Sequence, residues 1–246
     1  MATNSGNGKR LRENPDYQPR AAGASSYLYI GIGVLVVAAL VIGGFLWMNN
    51  KTYPPVDDKV LAENASFIVG DRTAPKTIDV FEDFSCEHCR TFEEQSGAAI
   101  RQHVIDGRIR VRYHMLNFLD QNSKSGDYSS RGAGAALCVA RNDDREVFWK
   151  LHSQLFEKSG EDLTNQQIAD LAASDGAGEK TRACIASGQL VDEARTMADA
   201  SKGQLSNSTR GQVATPTVLL AGQQVSGILD GTGWLDKMFA STSATP

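Results

Sequence analysis

From Tyr27 to Met48 the chain runs YLYIGIGVLVVAALVIGGFLWM without one charged residue. At 1.5 Å per residue, a helix of about 22 residues reaches about 33 Å, enough to cross a hydrocarbon core of about 30 Å. A soluble helix seldom stays apolar on every face for so long, so a buried helix is a poor account. A cleaved signal peptide wants a shorter apolar core and a small-residue cleavage site, which Trp47, Met48, Asn49 and Asn50 do not supply. No cysteine lies near the span, so a lipidated signal is excluded as well. The stretch predicts an uncleaved transmembrane helix over residues 27–48, and the rest of the chain must fold in water on either side of it.

The flanks predict which side. Residues 1–26 are rich in Asn, Gly, Ser and Pro and lack periodic apolar positions, which predicts a disordered tail. Lys9, Arg10, Arg12 and Arg20 precede the span, whereas Lys51 follows it with Asp57 and Asp58 close behind. That asymmetry places the tail in the cytoplasm and the remainder across the cell membrane. Glu13 and Asp16 reduce the tail to +2, so −6 of the net −4 belongs to the rest, a balance that does not suit nucleic acid. Residues 49–64, opening NNKTYPPVDDK, read as a tether. Residues 65–246 have the size of one domain and hold all four cysteines, in a compartment where disulfides persist.

Within that domain the chemistry concentrates in residues 79–94, DVFEDFSCEHCRTFEE. Ile78, Val80, Phe81 and Phe84 read as a strand, and Cys86 falls where polar helix formers take over. The unpaired N–H groups and positive dipole end of a helix start would stabilise a thiolate at Cys86 and lower its pKa. His88 can add positive charge or a hydrogen bond, and Cys89, one turn on, can close a disulfide with Cys86 by exchange. A zinc site would need two further ligands at metal spacing, and haem attachment would need His where Arg90 stands. No metal or other cofactor is therefore expected.

The surrounding pattern is strand (66–69), strand (77–84), helix (86 to about 106) and strand (108–116), with Ile109, Val111 and Tyr113 alternating with Arg108, Arg110 and Arg112. Strand, helix and parallel strand make a right-handed crossover unit. Helical spacing then takes over: 129–142, 144–157, 164–173 with Thr164 as N-cap, 178–186, and a fifth helix from near Val191. Strands return at 216–220 and 224–228, with a closing helix at 231–239. The predicted class is α/β, a small α/β unit interrupted by an all-helical insertion at about 126–205.

Three segments together carry a family resemblance: Phe84-Ser-Cys86-Glu87-His88-Cys89, the helical FWKLHSQLF at 148–156, and Ala214-Thr215-Pro216-Thr217-Val218. From about Ser66 onward the chain resembles DsbA-like thiol-disulfide oxidoreductases of the thioredoxin superfamily, in a membrane-anchored form. The resemblance implies a thioredoxin fold with an inserted helical domain and disulfide exchange on exported proteins with free thiols. It also implies a membrane partner, linked to quinone, that recycles the pair. It further implies a cis Pro216 facing the C-x-x-C, with the Thr215 backbone free to pair with a substrate segment. Two positions depart from the pattern. Glu87 stands where such proteins often carry proline, and its carboxylate would oppose a Cys86 thiolate. Val80 stands where many thioredoxin-like proteins bury an acid, so Glu82, Asp83 or water would have to move the Cys89 proton, unless both acids are solvated.

Cys138 and Cys184 fall on separate predicted helices. They read either as buried free thiols or, favoured outside the cell, as a structural disulfide closing a loop of about 46 residues. His152, between Trp149 and Leu155, reads as a packing residue, and His103 and His114 have no partner at metal spacing. An oxidase reading leads. A reductase or isomerase, and a non-catalytic domain that binds partners or a metal, stand as alternatives.

Overall fold

The computed structural model describes residues 24–49 and 52–240. Most of the expected disordered tail, and Asn50 and Lys51 of the expected tether, lie outside the described residues. Two compact units divide near Thr52. The first contains helix α1 (Ala24–Asn49), within which Leu28–Leu46 has a mean hydropathy of 2.5. Its apolar side chains, such as Leu35, Leu40 and Phe45, are exposed, which is compatible with a single-pass membrane anchor.

The first helix of the second unit is α2 (Asp58–Glu63), where the sequence predicts only a tether. The Asp57 carboxylate caps it, accepting hydrogen bonds from the N–H groups of Lys59 and Val60, and Leu61 is buried. Strands β1 (Phe67–Val69), β2 (Lys76–Asp83), β3 (Ile109–Leu116), β4 (Thr217–Leu220) and β5 (Gln223–Gln224) form one sheet in the order β1-β3-β2-β4-β5. Only β2 and β3 run parallel, with Val80 opposite Tyr113 and Glu82 opposite Met115. The other neighbouring pairs are antiparallel. The parallel pair is bridged by α3 (Glu87–Phe92), a π-helical turn (Glu93–Gly97) and α4 (Ala98–Ile105), where the sequence predicts one unbroken helix. The last strand is two residues long, where the sequence predicts 224–228; beyond it the Val225 N–H still donates to the Val218 carbonyl at 2.8 Å, and Gly227 takes a positive φ of 75°.

The inserted helices are α5 (Tyr128–Asn142), α6 (Arg145–Glu157), α7 (Asn165–Ser174) and α8 (Glu179–Ala186); α9 (Val191–Ser208) leads back to the sheet and α10 (Gly233–Ala240) closes the chain. Asp144 caps α6, and Thr164 with Gln167 forms a capping box on α7. This is the thioredoxin fold with an inserted helical domain.

Because side chains alternate across a strand, central β2 serves two cores. Ile78, Val80 and the neighbouring Phe84 join the large core shared with α3 to α8 and α10. Phe81 faces the opposite side with Leu61, Leu116, Ala198, Leu205 and Leu219, under α2 and α9. On that second side Asp79 is buried yet ionised: burial opposes the charge, but hydrogen bonds from His114 (2.9 Å) and Arg112 (2.6 and 2.8 Å) hold its carboxyl below the ordinary range. Arg112, which strand alternation would send to solvent, is buried because Asp79 and Asp58 of α2 take its guanidinium.

Candidate active site

Cys86 ends the turn that leaves β2 and is the N-cap residue of α3. Its N–H donates to the Asp83 carbonyl at 2.9 Å. Asp83 organises the turn: its carboxylate accepts from the N–H groups of Ser85 (2.9 Å) and Leu119 (3.0 Å) and from the Ser129 hydroxyl. Burial outweighs these bonds and pushes Asp83 up to about 6. Gly132 of α5 lies directly over Phe84, and a Cβ there would collide with the ring. The absent side chain therefore lets the inserted domain close on the strand end.

The two thiols are free and differ in environment. A hydrogen bond from the Cys89 thiol is the largest influence on Cys86; burial opposes it, and the N–H groups of Cys89 and His88 add to it. Together they bring Cys86 down from 9.0 to about 5. Cys89 is fully buried and its thiol is pushed well above the ordinary range, first by burial, then by the bond it gives Cys86 and by the negative charge of Glu82. The Thr215-Pro216 peptide is cis, and the Thr215 carbonyl lies 3.4 Å from Cys86 Sγ. Sequence-distant segments 86–89 and 215–216 are thus brought together.

Glu87 and His88 are both exposed. Glu87 pairs with Arg90 one turn along α3, so its carboxylate is offered a cation rather than left to face Cys86. His88 contributes through its N–H. Cys138 and Cys184 are joined as a disulfide, with Cα atoms 5.9 Å apart, between α5 and α8.

Glu82 and Asp83, which the sequence allows either as proton-moving groups or as solvated acids, are both fully buried. His152 packs among Phe84, Tyr113, Phe148 and Phe156, as the sequence predicts, and in addition carries an ion pair that the periodicity does not report. His152 Nε2 lies 3.0 Å from Glu82 Oε2, with Nδ1 3.8 Å from Glu93 Oε2. Burial disfavours the imidazolium, but the two carboxylates hold it and raise His152 to about 9. Burial pushes Glu82 up against the pull of His152; for Glu93 burial is outweighed by His152 and Arg101, and its carboxyl is held down. Glu93 reaches this position from the π-helical turn, a feature that often marks functional sites. The available signal is an acid, Glu82, on the same strand face as the apolar Ile78 and Val80. No group of three or more His, Cys, Asp or Glu side chains suited to a metal occurs among the described residues.

Residues 62–235 match the family described as Thioredoxin. The chain belongs to that family. Within it, the chain is a DsbA-like member. Among solved structures it is similar to MdbA, a thiol-disulfide oxidoreductase from Corynebacterium diphtheriae, at 26% identity and a TM-score of 0.63 over 78% of this chain and 98% of that one. It is also similar to reduced DsbA from Mycobacterium tuberculosis, at 27% identity and a TM-score of 0.55 over 74% of this chain and 100% of that one. Among curated relatives it is 37% identical to serine/threonine-protein kinase PknE of Mycobacterium tuberculosis over 142 residues, 55% of this chain. The chain spans only 25% of that relative's length.

Proposed function

We propose that this thioredoxin-family chain is a membrane-tethered disulfide oxidase acting on exported proteins outside the cytoplasm. The observation that carries the reading is the asymmetry of the pair, a Cys86 sulfur brought to about 5 beside a buried Cys89 whose thiol is pushed up. In the oxidised protein a substrate thiolate attacks Cys86 Sγ, the Cys86–Cys89 bond breaks, and its electron pair leaves on Cys89, which takes up a proton. The second substrate thiolate then attacks the mixed disulfide at the substrate sulfur, leaving a substrate disulfide and the Cys86 thiolate. Stabilising that thiolate stabilises the reduced protein and makes the oxidised one the stronger oxidant.

Thr215 and Pro216 supply the substrate-binding edge. The Thr215 backbone flanks Cys86 where an extended peptide would lie, and Glu87 and His88 flank the exchanging sulfur on the exposed side. The arrangement of basic residues around the apolar helix supports a cytoplasmic N-terminus and an extracytoplasmic redox domain. A membrane redox partner then reoxidises the pair. Pairing of Glu87 with Arg90 favours the oxidase over a reductase, since the carboxylate's charge is offset.

The test uses full-length oxidised protein in detergent micelles and a synthetic peptide with two cysteines. One disulfide passes to the peptide per protein molecule; Cys86→Ser abolishes the transfer, and Cys89→Ser, given the same peptide in its disulfide form, is trapped as a mixed disulfide through Cys86, with one peptide thiol released. Peptide thiols that remain free while Cys86–Cys89 stays oxidised would overturn the reading.

A further inference from the structure

Three ionisable side chains from three elements meet inside the large core. Glu82 of β2 and His152 of α6 have no exposed surface, and Glu93 of the π-helical turn is nearly as buried. Placing three such groups in a core is costly, and apolar residues of similar volume would pack there at less expense. Their bonding is also incomplete: neither Glu82 Oε1 nor His152 Nδ1 has a hydrogen-bond partner. The chain of contacts has a direction. One end is Glu82, which β2 carries on the face of Ile78 and Val80 into the large core that also holds Cys89, and whose negative charge raises the Cys89 thiol. The other end is Glu93, which accepts from the Ser153 hydroxyl at 3.1 Å, pairs with Arg101 at 2.9 Å, and lines a surface cavity of about 320 Å³ with Arg101, Ser153 and Glu157. Tyr113 of β3 packs its ring against His152, and burial with the two carboxylates keeps its hydroxyl protonated.

We propose that Glu82, His152 and Glu93 form a proton path joining the buried Cys89 sulfur to solvent at the Arg101 cavity. The proposal rests on the oxidoreductase reading and supplies the proton step that reading requires. When Cys89 resolves a mixed disulfide on Cys86, the Cys89 S–H bond breaks and the Cys86–Cys89 bond forms. The electron pair of the old S–S bond leaves on the outgoing thiolate. The Cys89 proton passes to the Glu82 carboxylate, while the His152 imidazolium releases its Nδ1 proton through Glu93 to the cavity. The 3.8 Å step from Nδ1 to Glu93 is one that a single bridging water or a small side-chain shift closes. The path starts with Glu82 and Glu93 ionised and His152 cationic, and ends with Glu82 and His152 neutral, so its net charge is unchanged. Reduction of the disulfide runs the same transfers backwards, with a proton returning to Cys89.

The test is run on reduced full-length protein in micelles with oxidised glutathione as probe, timing release of the second glutathione, the step in which Cys89 attacks. In the native protein this step varies little between about pH 6 and 8. In Glu82→Gln it slows roughly a hundredfold at neutral pH and rises in proportion to hydroxide. Glu93→Gln slows it in the same manner, and Glu82→Asp restores the native pH profile. Unchanged pH profiles in both amide variants would overturn the path. Should the variants not fold, the native protein decides in mixtures of light and heavy water. A bowed dependence of the second step on deuterium fraction is expected for two protons in motion, and a straight line overturns the proposal. Failure of the native protein to release any second glutathione would instead overturn the oxidoreductase reading.

Discussion

The ionisation of Cys86 has a direct thermodynamic readout. Its pKa falls from 9.0 to about 5 in the reduced protein, a depressed acid whose stabilisation is complete above pH 9 and lost as pH falls through about 5. At pH 7 the gap between pH and the depressed value of about 5 is about two units, so the thiolate stabilises the reduced protein by about 2.7 kcal/mol. For a two-electron couple that is close to 60 mV in the oxidising direction. The perturbation is pH itself. Between about pH 5 and 9 only Cys89 carries a proton in the reduced state, so each pair of electrons brings one proton, and the potential falls by about 30 mV per pH unit. Below about pH 5 both sulfurs are protonated and the slope doubles to about 59 mV per unit. The assay equilibrates the full-length protein in glutathione buffers from pH 4 to 8 and counts free thiols by alkylation and mass. A 59 mV slope through pH 6 to 8 would refute the argument, because Cys86 would then be an ordinary thiol.

Three substitutions probe the supports around the pair. Glu87→Gln shifts the potential by less than about 20 mV, since the carboxylate is exposed and already paired with Arg90; a shift beyond about 60 mV would mean that it acts on the Cys86 thiolate. Gly97→Ala drives a Cβ into the buried Glu93 carboxylate, which Arg101 and Ser153 hold in place. It costs roughly 1–3 kcal/mol in thermal unfolding, and a neutral outcome would show that Glu93 is free to move. Replacing both Cys138 and Cys184 with alanine opens a 46-residue loop. The reduction in stability is about 4 kcal/mol in denaturant titrations, with the Cys86/Cys89 potential unchanged; a changed potential would mean that the two pairs communicate.

What the sequence disclosed follows the range of the interactions involved. Periodicity and capping are local, so β2, β3 and the helices from Tyr128 onward were legible within a residue or two, with Asp144 and Thr164 marking their starts. The strand-to-helix corner was legible because a C-x-x-C at that place has few other uses. Helix α2 was missed because six residues beside two prolines carry almost no periodic signal, and what holds them is Leu61 in the second core and the distant Arg112. For the same reason Arg112 looked solvated: its partners, Asp79 and Asp58, are 33 and 54 residues away in sequence.

His152 shows where pattern reading fails. A histidine on the apolar stripe of an amphipathic helix satisfies the periodicity as well as a leucine would, so periodicity cannot report its charge. Ionisation is decided by the contents of the facing elements, here Glu82 from a strand 70 residues earlier and Glu93 from a helical turn whose extra residue no propensity announces. Glu82 carried the warning, since an acid pointing into the same core as Ile78 and Val80 must be neutralised, paired or put to use. Pairing alone leaves Glu82 Oε1 and His152 Nδ1 unbonded, and a network built only for stability would have closed both. A pair that must gain and lose a proton at a buried sulfur in every cycle has a use for groups left in that condition.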